Sequence, residues 1–348
     1  MKKYIANMIL IIGVSLLTMW MLLGSVGLSQ FVGYLTRLAP KWIAIGFICI
    51  GLYWALETII QYLLVRKMYR GNHLWNSFKV VMTGHFFNAI TPFASGGQPM
   101  QAFVMMKQGV PLGTSASVLL SKFIIYQIIL TLYSLVVLVM ELKFFIVKVQ
   151  GIIYLSLVGF LVNLGVVIIL IMAVLKGEYV KKIGFWLINL LNKMHINKSP
   201  STYKRKIIKQ VDLFNSNIKV IKENKRLLLR VCILTVAQLT AYFVIPYAVY
   251  RAFGLRGTEM FVMISASAFI VMFSSFVPIP GGAGVAEGSF FLLFQLFFPS
   301  PILPAAILCW RVITFYVPLC LGGVMTILPN QKNEYNKVKV VQEYNSFF

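Results

Sequence analysis

The sequence predicts an all-α integral membrane protein: about six transmembrane helices plus two opposed re-entrant helical hairpins, arranged as an inverted repeat. Three observations carry this expectation. The 348 residues are 59% hydrophobic with a mean hydropathy of +0.84, and only 12% are charged, about half the share of an average soluble domain. Several runs exceed the ~18 uncharged apolar residues that a crossing helix needs, and they are continuously apolar, whereas barrel strands alternate. Two apolar stretches are broken by proline and glycine: TPFASGGQP, Thr91 to Pro99, and PIPGGAGVAEG, Pro278 to Gly288.

Taken in order, the first span covers 4–28, since its apolar run is too long for the core of a signal peptide. The next spans are 42–65 and 112–140. Between them, 76–91 would extend only ~24 Å as a helix and 98–108 ~16 Å, both short of the ~30 Å hydrocarbon core. Both ends of this pair are basic, so 76–108 reads as a hairpin dipping into the membrane with TPFASGGQP at its tip. The second half repeats the device, with spans at 151–175, 231–253 and 305–328 and a hairpin over 260–298. At ~27 Å, its first arm, 260–277, leaves a full crossing open. The organisation is a first repeat over 1–140, a second over 151–328 and a tail over 329–348.

Charge sets the orientation. With both termini on the cytoplasmic side, 24 of the 32 basic residues fall inside, 6 outside and 2 within spans. A net charge of +23 therefore reflects topology, and no nucleic-acid partner is expected. The 176–230 loop holds 14 of the basic residues. Within it Ile207, Val211, Phe214, Ile218 and Ile221 share one helix face, which would lie on the anionic inner leaflet or dock on the protein itself. The four cysteines and three histidines show no metal-ligand spacing, so neither metal nor cofactor is expected.

Chemistry is expected where charge sits inside apolar helices, at a cost of ~2.5–3.5 kcal/mol per charge on insertion scales. Lys122 lies near the middle of its span, and Arg311 lies on the last. Each follows a broken hairpin by a similar distance, which outlines an anion site near the midplane. Gly96, Gly97, Gly281 and Gly282 would bring backbone amides to it, with Gln98 and Asn88 beside the first tip. Glu287 would meet Arg311, a cationic substrate group or a proton. The alternative is structural pairing of the two cations with Glu287 and Glu57. Glu57 is otherwise a structural residue or a partner for Lys79, and His85 a packing histidine.

The segments NAITPFASGGQPMQAF, PIPGGAGVAEGSF and WRVITFYVPLCLGG together resemble the lysylphosphatidylglycerol synthase transmembrane family. This is the flippase-like module of bacterial multiple peptide resistance factor and its stand-alone relatives. Gly96, Gly97 and Pro99 match its first motif, Pro280, Gly281, Gly282, Gly284 and Glu287 its second, and Arg311 and Pro318 its last. Many relatives carry Glu and Arg where this chain has Gln98 and Gln101.

The resemblance implies a bacterial cell-membrane protein that translocates an anionic or aminoacylated phospholipid, such as lysylphosphatidylglycerol, or a related glycolipid. Such activity would contribute to envelope charge and to resistance against cationic antimicrobial peptides. The soluble aminoacyltransferase domain is not expected, because the chain ends about twenty residues after the last span. The rival readings are lipid lysyltransfer that depends on a separate enzyme partner, and a scaffold for such an enzyme. No nucleotide-binding loop is visible, so drive would come from a gradient, from membrane potential or from no source at all.

Overall fold

A computed structural model describes residues 27–69, 71–91, 94–141, 160–161, 163–165, 168, 200–274 and 285–329. The expected span at 4–28, most of that at 151–175, the break with Gly281, Gly282 and Gly284, and the tail lie outside the described residues. What is described is helical, with no strand among those residues.

The helices are α1 (Leu28–Thr36), α2 (Pro40–Met68), α3 (Leu74–Ile90), α4 (Gly97–Lys107), α5 (Leu112–Met140), α6 (Pro200–Glu223), α7 (Lys225–Phe243), α8 (Ile245–Ala252), α9 (Met260–Ser274), α10 (Val285–Phe294), α11 (Leu303–Arg311) and α12 (Val317–Ile327). Four stretches are long and apolar enough to cross a membrane: Pro40–Met68, Leu112–Val137, Lys225–Ala252 and Leu303–Ile327. They coincide with four of the six expected spans. Local chemistry sets their ends. Pro40 occupies the first turn of α2, where its missing N–H costs nothing, and Arg66 and Lys67 lie in the last turn, against the negative end of the dipole.

The first broken element is an antiparallel hairpin. The Gln101 side chain lies against Gly84, Asn88 against Gly97, and the Gln108 amide donates to the Asn76 carbonyl at 3.2 Å, so residue numbers across the pair sum to a near-constant. A Cβ on Gly84 or Gly97 would overlap those side chains, so the glycines let α3 and α4 approach closely. Thr91 closes the tip. Its hydroxyl donates to the Phe87 carbonyl at 2.6 Å and accepts the Gly96 N–H at 2.8 Å. Helix α12 packs on the same arm, with Gly322 against Met82 and Phe86. The buried Lys79 ammonium donates to the Leu328 carbonyl, which ties α3 to the end of α12.

The two arms of the second broken element, α9 and α10, are held differently. Phe290 and Phe294 of α10 stack at 4.1 Å between centroids, and Trp310 of α11 lies 4.8 Å from Phe290. These rings join Ile50 and Trp54 of α2, Val249 of α8 and Met263 of α9 in one apolar core. A second core joins α2 to α7 around Leu64, Val118 and Val231.

Of the two homes open to the basic amphipathic helix, the structure shows the protein's own surface. Phe214, Asn217 and Ile221 of α6 are buried, the Asn217 amide donates to Thr114 at 3.0 Å, and the Gln210 side-chain carbonyl accepts the Gly113 N–H at 2.8 Å. Lys209, Lys219 and Lys222 stay on the exposed side.

Candidate functional site

Helix periodicity assembles the polar residues of the spans. Tyr53 and Glu57 lie one turn apart on α2, and Lys122 and Tyr126 one turn apart on α5, so each helix presents an ionic group and a phenol on one face. Lys122 Nζ donates to Glu57 Oε1 at 3.1 Å, and His85 Nε2 of α3 meets Glu57 Oε2 at 2.8 Å. Both carboxylate oxygens are engaged, yet the side chains of His85, Lys122 and Glu57 keep 21%, 15% and 12% of their surface exposed. This is a cation, an acid and an imidazole held together but reachable.

Lys79 is not the partner of Glu57. Its ammonium is taken by the Leu328 carbonyl, because α12 returns along α3 and delivers its C-terminal carbonyl to that point. His85, read from sequence as packing, is instead a carboxylate partner.

A second ion pair joins the other half. Arg311 Nε and Nη2 of α11 donate to the two Glu287 oxygens of α10 at 2.8 and 2.7 Å, a bidentate fork with both side chains 7% exposed. The Arg311 guanidinium also lies 4.7 Å from the centroid of the Phe315 ring. A π-helical turn, Val312–Tyr316, follows Arg311 immediately. Val317 bonds the Val312 carbonyl five residues back. The wide turn has a local cause: Pro318 supplies no N–H, and its ring crowds the carbonyl four residues before it.

Tyrosines connect the two clusters. The Tyr53 ring centroid lies 5.9 Å from His85 and 5.4 Å from Tyr242 of α7. Tyr53 also interacts with Tyr126, Gln238 and Glu57, while Tyr242 reaches Thr314 and the field of Arg311. Sequence reasoning passed over these three phenols. The signal was there: a tyrosine one turn from each buried ion on α2 and α5.

The remaining expected site residues fall apart from this centre. Gly96 and Gly97 are at the hairpin tip, with the Gly96 amide engaged by Thr91 and the Gly97 face filled by Asn88. Asn88 Oδ1 is buried there without a hydrogen-bond partner among the described residues. Gln98 is exposed, whereas Gln101 is buried on Gly84. Gly281 and Gly282 are not described. No group of three or more His, Cys, Asp or Glu suited to a metal occurs among the described residues.

Comparison with known proteins places the chain among membrane proteins. The model of the family described as "Lysylphosphatidylglycerol synthase TM region" matches residues 8–322. The chain belongs to that family. It is also similar to a UPF0104 membrane protein of Archaeoglobus fulgidus, 24% identical over 289 residues that cover 78% of this chain and 81% of the relative. A UPF0104 membrane protein of Methanocaldococcus jannaschii is 23% identical over 347 residues, 97% of this chain and the whole relative. The family match covers both ion clusters and both broken hairpins, so the site lies within the part of the chain that is shared.

Proposed function

We propose that this membrane protein translocates a phosphate-bearing lipid, an anionic or aminoacylated phospholipid or a related glycolipid, between leaflets of the cell membrane. The observation that carries the reading is the partly open Glu57–His85–Lys122 cluster, set among crossing helices and next to a broken hairpin. A polar head group needs such a place. Unpaired, its charge would face hydrocarbon, and the cluster substitutes fixed partners for water.

In this reading Lys122 takes the lipid phosphate as a point charge, while the acyl chains stay in the bilayer. Arg311 is held by Glu287 and keeps the second hairpin in register with the last span, within reach of the same centre through Tyr242. Opening and closing would come from the first hairpin, whose tip interrupts the helix after Ile90. The basic outer edge of α6 would face the anionic leaflet, with both termini on that side. A contribution to envelope charge and to resistance against cationic antimicrobial peptides would follow from the lipid moved.

The experiment is lipid translocation in vesicles that contain only the purified chain. Phosphatidylglycerol, its lysyl ester and a glycolipid are compared, wild type against Lys122→Ala. Movement of one lipid above the protein-free rate, lost in the folded variant, is the expected result. If none moves with or without a proton gradient or membrane potential, weight shifts to partner-dependent lipid modification.

A further inference from the structure

Resting on the translocation reading for its use, we infer that α2, α3 and α4 enclose a hydrated proton path. It links the His85–Glu57 pair to the end of the first hairpin beside Asn72 and Gln108. The argument begins with hydroxyls. Within the apolar helices Thr131, Thr235, Ser265, Ser267 and Thr314 each donate to the carbonyl four residues back, at 2.7–2.8 Å. That bond is the ordinary way to hold a hydroxyl inside an apolar helix. Thr58 and Thr83 do not make it, and their hydroxyls have no hydrogen-bond partner among the described residues. Gln61 Oε1 and both polar atoms of the Asn76 side chain share that condition. All four residues are at most 4% exposed. Buried polar atoms of native proteins are paired, and where side chains and backbone supply no partner, bound water does.

The four residues line one junction. Gln61 Nε2 lies 3.3 Å from Met105 Sδ of α4, in the core where Leu64, Val65, Val80 and Met105 meet. Thr58 is one turn before Gln61 on α2, and Asn76 and Thr83 lie one turn to either side of Val80 on α3. Helices α2 and α3 run antiparallel with His85 level with Glu57. From that pair the column passes Thr58 and Thr83, then Gln61, then Asn76. It covers about 13 Å along α3, which roughly five waters in hydrogen-bond contact would span. At the far end Gln108 donates to the Asn76 carbonyl, and the Asn72 amide donates to the Ser77 hydroxyl at 2.8 Å, next to the exposed His73. No charge interrupts the column, because Lys79, the cation on this stretch of α3, is turned to Leu328 of α12.

A titratable pair heads the path. Both Glu57 oxygens already hold partners, so an arriving proton adds to the His85 ring nitrogen turned away from Glu57. The pair becomes one charge more positive, and loss of that proton restores it. The other ionisable groups near the pair are Lys122 and Tyr126 of α5 and Tyr53 of α2, with Tyr242 of α7 beyond Tyr53. Helix α4 carries no ionisable side chain before Lys107, and Cys320, the one on α12, is exposed. His85 itself remains 21% exposed, so the pair is open beyond the column as well. Intramembrane acid–histidine pairs reached by water serve as proton relays, and here a relay would let a proton gradient drive lipid crossing.

The test uses the full chain in vesicles of phosphatidylethanolamine and phosphatidylglycerol loaded with a pH-sensitive dye. Proton movement is followed after a membrane potential or a pH step is imposed, and crossing of an acyl-labelled lipid is measured in parallel. Wild type should move protons at least tenfold faster than protein-free vesicles. Thr83→Val and Gln61→Leu, which keep the shape and remove the polar atoms, should each lower that rate about tenfold, and His85→Gln should abolish it. Thr235→Val, a hydroxyl satisfied on its own helix, should leave it unchanged. The thermal midpoint gives a second reading that needs no transport. In a hydrated column Thr83→Val loses a bound water and the midpoint falls, whereas in a dry one it sheds an unpaired hydroxyl and the midpoint rises.

Proton movement no faster than in protein-free vesicles, wild-type rates in folded Thr83→Val and Gln61→Leu, or a raised midpoint in both overturns the path. Lipid crossing without proton movement would overturn the path and leave the translocation reading standing. Proton movement that depends on Thr83, Gln61 and His85 without lipid crossing would uphold the path and end that reading.

Discussion

The two halves of this molecule treat a buried ion pair in opposite ways. In the first half Lys122 holds Glu57 by one hydrogen bond of 3.1 Å, a histidine shares the acid, and all three side chains remain partly exposed. In the second, Arg311 grips Glu287 through two bonds of 2.8 and 2.7 Å, both side chains are nearly sealed, and an aromatic ring lies against the guanidinium. The source of the acid differs too. Glu57 comes from the span before its hairpin, whereas Glu287 sits on the hairpin arm itself. The two halves thus place their carboxylates differently. One pair stays partly open, and the other fastens α10 to α11.

That contrast can be broken by substitution. The largest effect is expected from Arg311→Ala, which strands Glu287 in a sealed site and should cost about 3–5 kcal/mol, read as loss of folded protein in detergent. Arg311→Met combined with Glu287→Leu should recover most of that loss, because an apolar pair leaves no unpaired charge. Failure of the double variant to recover would mean that Arg311 does more than pair.

Next in size is Gly97→Ala. A methyl group there must displace Asn88, with a cost of about 1–3 kcal/mol in the thermal midpoint and a displaced first hairpin. A midpoint like that of wild type would show that the hairpin arms can separate without penalty. Glu57→Gln should cost less, about 1–2 kcal/mol, read as a lower thermal midpoint. A double-mutant cycle sharpens the comparison: the coupling of Glu57 to Lys122 should be well below that of Glu287 to Arg311. Equal couplings would contradict the division of labour. Smallest is Gln98→Ala, within about 0.5 kcal/mol and with unchanged transport, because the side chain is exposed.

How much of this was legible in the sequence follows from which signals are local. The spans at 42–65, 112–140, 231–253 and 305–328 were readable because apolar runs of that length have few other uses. The break at Thr91 was readable as a run of proline and glycine, and Pro318 only as a motif residue of the last span. Their consequences were not, since a π-turn and an Asn88 side chain seated on Gly97 depend on neighbours. Lys122, Arg311 and Glu287 stood out because charge in a span needs a reason. Which acid each cation meets is a matter of helix packing that spacing alone does not encode, so Glu57 was set against Lys79 as well as against the two span cations. Tyr53, Tyr126 and Tyr242 were hidden because tyrosine is unremarkable in a membrane helix until it is seen beside an ion. The amphipathic face of α6 was legible, but its docking on α5 rests on the Asn217–Thr114 and Gln210–Gly113 bonds across the chain.

The most direct test of the account is the rate at which an acyl-labelled phospholipid crosses vesicles holding wild type, Lys122→Ala or the Arg311→Met/Glu287→Leu pair, all verified as folded. The account predicts crossing above the protein-free rate in wild type, its loss in Lys122→Ala and its retention in the double variant. Crossing that survives Lys122→Ala and disappears in the double variant would contradict it, and would move the working site to the sealed pair.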